Sequence, residues 1–555
     1  MAELLLLSKD NCKNCYRCIR ECAVKAIRFS DSHASIIGQE CVFCGHCYTV
    51  CPQSAKQIRS DVGKVQELLA SGRQVLVSLA PSYIAEFPVS GLQEMRRALC
   101  ALGFADVEET ARGAKLVKSE YERLLRSGEV PLLISSCCHS VNLLIQKHYP
   151  KALACLAQVQ SPMLAHARLL KQEHPGAAVV FIGPCISKKA EAEEYGEVDC
   201  VLTYEELRSW MEAQQVELPA QAQLDGSAAR SRFFPVAGGI LRSMHQQEGI
   251  TYLAVDGLQR CMQALEEVEQ GGLQGCFLEL SACEGSCVGG PAMRRRSASA
   301  LHSRSRVECY SGAGADFPDM AAPEQLRRTL AFQGVRQVQP GEAAIRDVLQ
   351  KLGKTRPEDE LNCGGCGYST CREKAAAVCQ GKADLTMCLP FLMARAESFS
   401  SAILANTPNA IFVLDTKLCI QQMNEAAGRL FQIENPMQMK GMPIDLLLGP
   451  VEYMQAIEGS APDGPIRHYL AEYDKYVEET IVFDSRHNIV ISIIKDITEE
   501  TRQAQEQEQE RRRVAQLADT VIEKQMRVAQ EIASLLGETT AETKIALTRL
   551  KNTME

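Results

Sequence analysis

Short apolar runs and helix-patterned stretches alternate through the middle of this chain. Gln74-Val-Leu-Val-Ser-Leu-Ala80, Val130-Pro-Leu-Leu-Ile-Ser-Ser136, Ala177-Ala-Val-Val-Phe-Ile-Gly-Pro184 and Gly275-Cys-Phe-Leu-Glu-Leu-Ser-Ala282 read as strands. A helical stretch near 62–71 precedes them, and the alternation continues to about residue 290, which predicts an α/β block. Three runs end on cysteine: Cys138 after Cys137, Cys185, and Cys283 with Cys287 one turn further on. Ligands of open α/β sheets gather at the carboxyl ends of strands, so these thiols are expected to meet at one buried site suited to an iron–sulfur cluster.

Outside the block the pattern changes. Residues 294–314, rich in Ser, Arg and Gly, read as a loop, and another helix starts from about 340. Beyond Glu499 the chain is almost wholly helix-forming. Val514, Leu517, Val521, Val528 and Leu535 follow on 3- and 7-residue steps interrupted by Lys524, and Gly537 breaks the run. That stripe suits a signalling helix, a short dimeric coiled coil or an amphipathic helix docked on its own protein.

Length and composition narrow the classes. A chain of 555 residues exceeds one hydrophobic core. Its 25 cysteines, many in C-x-x-C clusters, read as metal ligation in a reducing compartment rather than as disulfides. Met1-Ala-Glu-Leu-Leu-Leu-Leu7 is too short for a signal peptide and no apolar run has the length of a membrane helix, so a soluble, cytoplasmic protein without membrane contact is expected. The net charge of −9 argues against nucleic-acid binding, and Arg294-Arg-Arg296 reads as a solvated loop.

The cysteine spacings are more specific. Cys12-x-x-Cys15-x-x-Cys18-x-x-x-Cys22 and Cys41-x-x-Cys44-x-x-Cys47-x-x-x-Cys51-Pro52 resemble bacterial two-cluster ferredoxins. The resemblance implies one 4Fe-4S centre on Cys12, Cys15, Cys18 and Cys51, and a second on Cys41, Cys44, Cys47 and Cys22, because the fourth cysteine of each run crosses over. Zinc knuckles lack this spacing. Cys363-Gly-Gly-Cys366-Gly-Tyr-Ser-Thr-Cys371 with Cys388 looks like a small 4Fe-4S module of anaerobic redox proteins, with zinc as the alternative occupant. Residues 403–415, Asn424–Phe431 and Asn488–Thr498 resemble a PAS sensor domain; His468 and His487 within it read as solvated or core histidines rather than haem ligands.

With these pieces in place the α/β block resembles the iron-only (FeFe) hydrogenases. Ser135-Ser-Cys-Cys138, Gly183-Pro-Cys185-Ile-Ser-Lys188-Lys-Ala-Glu191 and Ser281-Ala-Cys283-Glu-Gly-Ser-Cys287-Val-Gly-Gly290-Pro291 correspond to that family's three signatures, in order. Ala80-Pro81-Ser82 corresponds to an element lining the diiron pocket. The resemblance spans about residues 1–390 and implies an H-cluster, a 4Fe-4S cubane joined through a cysteine to a diiron centre carrying CO, cyanide and a dithiolate. Cys138, Cys185 and Cys283 would hold the cubane, Cys287 would bridge, Lys188 would donate to a cyanide, and Cys137 would relay protons. Ala80, Pro81, Ser82, Lys188 and Glu191 form the implied cofactor pocket.

The chain also departs from that family's catalytic pattern. His139 and Val141 stand where Pro and Trp are expected, Gly183 and Ser281 replace two Met, Met163 replaces a Gln, and Ala157 replaces a proton-path Ser. Altered surroundings with retained ligands imply slow chemistry. The expected fold is multidomain α/β and α+β: a two-cluster ferredoxin-like domain over 1–60, an α/β H-cluster domain over 61–335, a 4Fe-4S module over 336–395, a PAS domain over 396–498, and a C-terminal signalling helix over 499–555. The expected function is a sensory FeFe-hydrogenase that reacts with H2 and protons, depends on maturation proteins, and passes redox state to a separate effector such as a serine phosphatase or histidine kinase. A homodimer through the last helix fits the same pattern. Two alternatives stay open, a turnover hydrogenase regulated by its PAS domain and a non-catalytic iron–sulfur scaffold. Cys100, Cys155, Cys200, Cys261, Cys276, Cys309, Cys379 and Cys419 have no expected role beyond packing.

Overall fold

The computed structural model describes residues 4–30, 33–128, 131–218, 224, 228–293, 300–312, 314–320, 326–335, 339–460, 464–536 and 541–554. Val130, Arg294–Arg296 and Gly537 lie outside them. The chain forms two compact units, Met1–Leu392 and Met393–Glu555.

The first unit opens with two small antiparallel pairs. Strand β1 (Leu5–Leu7) pairs with β4 (Lys56–Ile58), and β2 (Ile27–Ser30) with β3 (His33–Ile36). Each cysteine run leads into a short helix, Arg17–Glu21 and His46–Thr49, entered through a left-handed residue, Tyr16 and Gly45. Glycine is required at the second: with φ at 75°, an added Cβ would sit 2.7 Å from Ile186 and Pro291. This close approach seats the second cysteine run on the α/β block.

That block contains two all-parallel sheets. One has the order β6-β5-β8-β9 from Asp106–Glu109, Val75–Leu79, Ala178–Gly183 and Cys200–Thr203; the other is β10-β11-β7 from Thr251–Asp256, Cys276–Ser281 and Leu132–Ile134. Strands β5, β7, β8 and β11 are nearly continuous apolar runs, as parallel sheets covered on both faces require, whereas the edge strands β6 (Asp106-Val-Glu-Glu109) and β10, largely exposed, are not. All five residues of β5 are buried. The Cys-tipped strands divide between the sheets, β7 and β11 in one and β8 in the other, so the thiols meet where the carboxyl ends of two sheets face each other.

One expected loop is a helix. Residues Ala300–Ser311 are helical, although their Ser and Arg content suggested otherwise. Ser303, Val307, Tyr310 and Ser311 recur at helical spacing and are buried, with Tyr310 edge-on to Tyr83. Small hydroxyl residues let this face pack closely, and composition alone hides that.

The last part of this unit folds back on its first. Helices Glu342–Lys351 and Cys371–Cys379 flank the third cysteine group. Tyr368 joins Ile19, Ile27 and Phe29 in one apolar cluster; Lys382 pairs with Glu40 at 2.5 Å, and Lys25 donates to the Gly367 carbonyl at 3.0 Å.

The second unit holds a five-stranded antiparallel sheet of order β13-β12-β16-β15-β14, from Ile420–Met423, Ala410–Asp415, Ile489–Asp496, Lys475–Asp484 and Ile466–Leu470. Alternate residues of its strands (Phe412, Leu414, Val490, Ile494) bury one face with Phe431 and Tyr453. His487 is exposed beside Asp484, and His468 lies 3.7 Å from Glu479. Helix Thr498–Leu536 follows, and Lys551 of helix Ala541–Asn552 pairs back to its Asp519 at 3.1 Å. Val514, Leu517, Val521 and Val528 are exposed; the side chain of Leu535 is outside the described residues. Among the described residues no helix is long and apolar enough to cross a membrane.

Candidate functional site

The two N-terminal cysteine runs exchange their last members. Cys12, Cys15, Cys18 and Cys51 line one small cavity. Cys47, in turn, feels the charges of Cys44, Cys41 and Cys22 once burial has pushed its thiol well above the ordinary range. Cys51, from the second run, thus lies with the first, and Cys22, from the first, with the second.

The strand-tip cysteines line a second cavity of about 120 Å³. Cys138, Cys185, Cys283 and Cys287 face it, with Cys137, Lys188, Ala80, Pro81 and Ser82 on the same wall. One water needs roughly 10–15 Å³, so a polyatomic group fits. Cys287 is exposed by surface area, but that surface is cavity wall. Burial pushes the thiol of Cys185 to about 11 and that of Cys287 to about 12, and neighbouring cysteines add to both shifts. Thiols that burial keeps from ionising, as at Cys185, Cys283 and Cys287, need cationic iron to become thiolates, which is the chemistry of ligation. Among the described residues no group of His, Cys, Asp or Glu converges as ligands of a single ion would. Four thiols around one cavity are the donor set that iron–sulfur clusters take. Cys44, a ligand candidate of the neighbouring centre, lines this cavity too.

A buried charged network backs the cavity. Lys188 donates to Glu191 at 2.5 Å and to the Cys137 carbonyl at 3.2 Å. Glu191 also accepts from Arg328 at 2.9 Å and Ser161 at 3.1 Å. Burial opposes ionisation of Glu191, but Lys188, His139 and Arg328 outweigh it and hold its carboxyl at about 2. The same carboxylate keeps Lys188 charged against its own burial. Glu191 thus supports the ammonium and is not itself among the cavity-lining residues. Ser82 is engaged with the Tyr204 hydroxyl at 2.8 Å, which orients the Ala80–Ser82 turn.

Cys137 lies 3.2 Å from the Tyr121 hydroxyl, and burial raises its thiol to about 12 despite that contact and the nearby Lys188. Glu279 is buried behind it, accepts from the amides of Gly238 and Leu241, and is pushed by burial to about 7. Tyr121 and Arg328 escaped the sequence reading because they lie outside the cysteine motifs along the chain, and Glu279, although in the strand before Cys283, because nothing in that apolar run marks its carboxyl as facing the cavity side. The departures have local reasons. An added Cβ on Gly183 would sit 2.7 Å from the Phe181 ring, which fills that part of the wall; Ser281 bonds Ser286 at 3.0 Å; among the described residues the buried His139 ring has no hydrogen-bond partner, and burial drops its imidazole to about 3.

Cys363, Cys366, Cys371 and Cys388 line a third small cavity. Gly367, with φ at 91°, lies against Ile19, where a Cβ would be 3.0 Å away. Asn362 accepts from the Cys371 amide at 2.7 Å, closing the loop.

Comparison with known proteins agrees with this layout. Residues 73–291 match the family model of the iron only hydrogenase large subunit, C-terminal domain; residues 4–61 match the 4Fe-4S dicluster domain, and 359–390 an Fe-S cluster family. A curated relative, one of the subunits of the ion-translocating oxidoreductase complex of Methanosarcina acetivorans, is 40% identical over 48 residues, 9% of this chain; the chain spans 18% of that relative's length. Among solved structures, an FeFe-hydrogenase studied for oxygen inactivation of its H-cluster is 17% identical, covering 49% of this chain and 91% of its own, with a TM-score of 0.37. An apo FeFe-hydrogenase from Chlamydomonas reinhardtii is 18% identical over 48% of this chain and 90% of its own, with a TM-score of 0.35. A PAS domain from Haloarcula marismortui is 16% identical over 19% of this chain and 95% of its own, with a TM-score of 0.15.

Proposed function

Starting from a chain that carries an iron-only hydrogenase large-subunit domain and 4Fe-4S domains, we propose that it is a sensory FeFe-hydrogenase. It reacts slowly and reversibly with H2, giving two protons and two electrons, and reports redox state through its second unit. One observation carries the reading: Cys138, Cys185, Cys283 and Cys287 share one cavity with Lys188 and Cys137. Cys138, Cys185 and Cys283 would hold a cubane, and Cys287 would bridge it to a diiron unit. When bound, that H-cluster supplies an open coordination site and an electron sink.

The chain's own residues supply the rest. Lys188, held by Glu191, presents a compact ammonium to an anionic ligand and offsets its charge. Ala80, Pro81 and Ser82 wall the pocket against water. Cys137 holds a proton on Sγ at neutral pH, within reach of Tyr121. Cys44 lines the same cavity, so electrons leave through the Cys22, Cys41, Cys44 and Cys47 centre. From there the packing of Cys18, Cys22, Cys47 and Cys366 around one apolar cluster favours transfer among all three small centres.

Altered walls at His139, Val141, Met163, Gly183 and Ser281, and Ala157 in place of a hydroxyl, support slow turnover. The five-stranded antiparallel sheet and the 39-residue helix after it support a PAS transmitter acting on a separate phosphatase or kinase in the cytoplasm. Infrared spectroscopy of anaerobically maturated protein tests the reading. CO and cyanide bands that shift under hydrogen are expected; spectra of ordinary cubanes alone would leave an electron-carrying scaffold. Turnover matching bulk hydrogen producers would instead favour the regulated enzyme.

A further inference from the structure

A second line of buried polar groups starts at the same cavity. Thr110 lines the cavity. Its Oγ1 lies 2.8 Å from Ser78 Oγ, which lies 2.8 Å from His166 Nδ1. On the far side of the ring, His166 Nε2 is 3.3 Å from Glu108 Oε2. Ser78 and His166 are wholly buried and Thr110 nearly so, whereas the Glu108 side chain is 22% exposed and opens to water.

We infer that Thr110, Ser78, His166 and Glu108 form a proton conduit from the cavity wall to solvent, separate from Cys137; the inference rests on the hydrogenase reading.

The donor–acceptor inventory orients the line. Arg112 contacts Glu108 and also donates to Glu173 at 2.8 Å, so Glu108 is an ionised carboxylate that only accepts. His166 must then carry its proton on Nε2, leaving Nδ1 as an acceptor for the Ser78 hydroxyl. Ser78 has one proton, already used on the ring, so its oxygen accepts from Thr110. Every donor points outward. A proton taken up by Thr110 from the cavity displaces one to Ser78, then to Nδ1, while the Nε2 proton passes to Glu108 and on to water. One proton enters, one leaves, and no electron moves; rotation of the hydroxyls and the ring resets the line.

The charged groups facing the ring are Glu108, Arg112 and Glu173; burial disfavours the imidazolium, and Glu108 partly restores it, as a transient carrier needs. Packing sets the ring between Ser78 and Glu108. Gly113 has no side chain because a Cβ there would lie 2.3 Å from the Pro162 carbonyl oxygen and 2.7 Å from His166 Cβ. Helices Ala111–Ser127 and Pro162–Glu173 therefore touch backbone to backbone at the point where the ring bridges Ser78 and Glu108. A polar line could serve docking of these helices alone, and the test separates the two.

Full-length protein is maturated as parent, Thr110→Val, Ser78→Ala, His166→Gln and Glu108→Gln. Infrared CO and cyanide bands measure loading, and the rate of the hydrogen-induced band change is followed against pH in H2O and in D2O. Relay steps are commonly worth about 10²–10⁴-fold, so Thr110→Val and His166→Gln are expected to slow the change at least tenfold at full loading, with a changed solvent isotope effect. Glu108→Gln should slow it and alter its pH profile. Rates within twofold of parent, with the parental isotope effect and profile, overturn the conduit. Variants that lose the bands while the parent keeps them make the line structural and overturn it equally. Absence of the bands from the parent removes the hydrogenase reading itself, and the conduit with it.

Discussion

Glu191→Gln probes the cavity's electrostatic support. The carboxylate is completely buried and bridges two buried cations, Lys188 and Arg328, while accepting from Ser161. The amide is nearly isosteric, so packing is preserved and charge is lost. Removing one partner of a buried ionic network costs about 3–5 kcal/mol, because the remaining charges stay desolvated. An independent route gives a similar size. Its neighbours hold the carboxyl at about 2 rather than the ordinary 4.5, which corresponds to about 3 kcal/mol of stability at neutral pH. The folded value is the depressed one, so this stability is fully present above 4.5 and lost as the pH falls from there towards 2. Trp210, the only tryptophan, is buried in the core of the first unit and reports its unfolding without interference from the second. With a denaturant slope of about 3 kcal/mol per molar, the urea midpoint should drop by on the order of 1 M at pH 7. Parent and variant should converge as the pH falls towards 2. An unchanged midpoint at pH 7, or a difference that persists in acid, would refute the assignment of Glu191 as the ionised hub.

Cys137→Ala should abolish most hydrogen turnover while the CO and cyanide bands persist, and unchanged turnover would remove the thiol from the proton route. Gly45→Ala forces a side chain into the contact with Ile186 and Pro291, so iron analysis should find the centre on Cys22, Cys41, Cys44 and Cys47 depleted relative to parent. Lys382→Ala leaves Glu40 buried without its ion pair, at a cost of about 3 kcal/mol, and limited proteolysis should cut more readily within residues 336–392 while leaving the α/β block intact. His139→Leu removes an imidazole that burial holds neutral down to about 3; since the unfolded chain protonates it near 6.5, the variant should gain stability over parent as pH falls below 6.5, measured by the same fluorescence.

Local chemistry in the sequence determined a great deal. Cysteine spacing grouped thiols that share a cavity, the apolar runs named the strands that carry them, and Gly-rich loops marked close approaches, because each depends on residues within a few positions of one another. Charge and composition misled where burial is made of small polar residues, as in Ala300–Ser311. Only the tertiary structure decided which groups act together. The two-sheet meeting of the Cys-tipped strands, the Glu191 hub drawing on Arg328, the Tyr121 contact to Cys137 and the Thr110–Ser78–His166–Glu108 line all join residues tens to hundreds of positions apart. A hydrogen bond or ion pair is decided by distance in space, and no periodicity along the chain encodes which distant side chain will stand within about 3 Å of another.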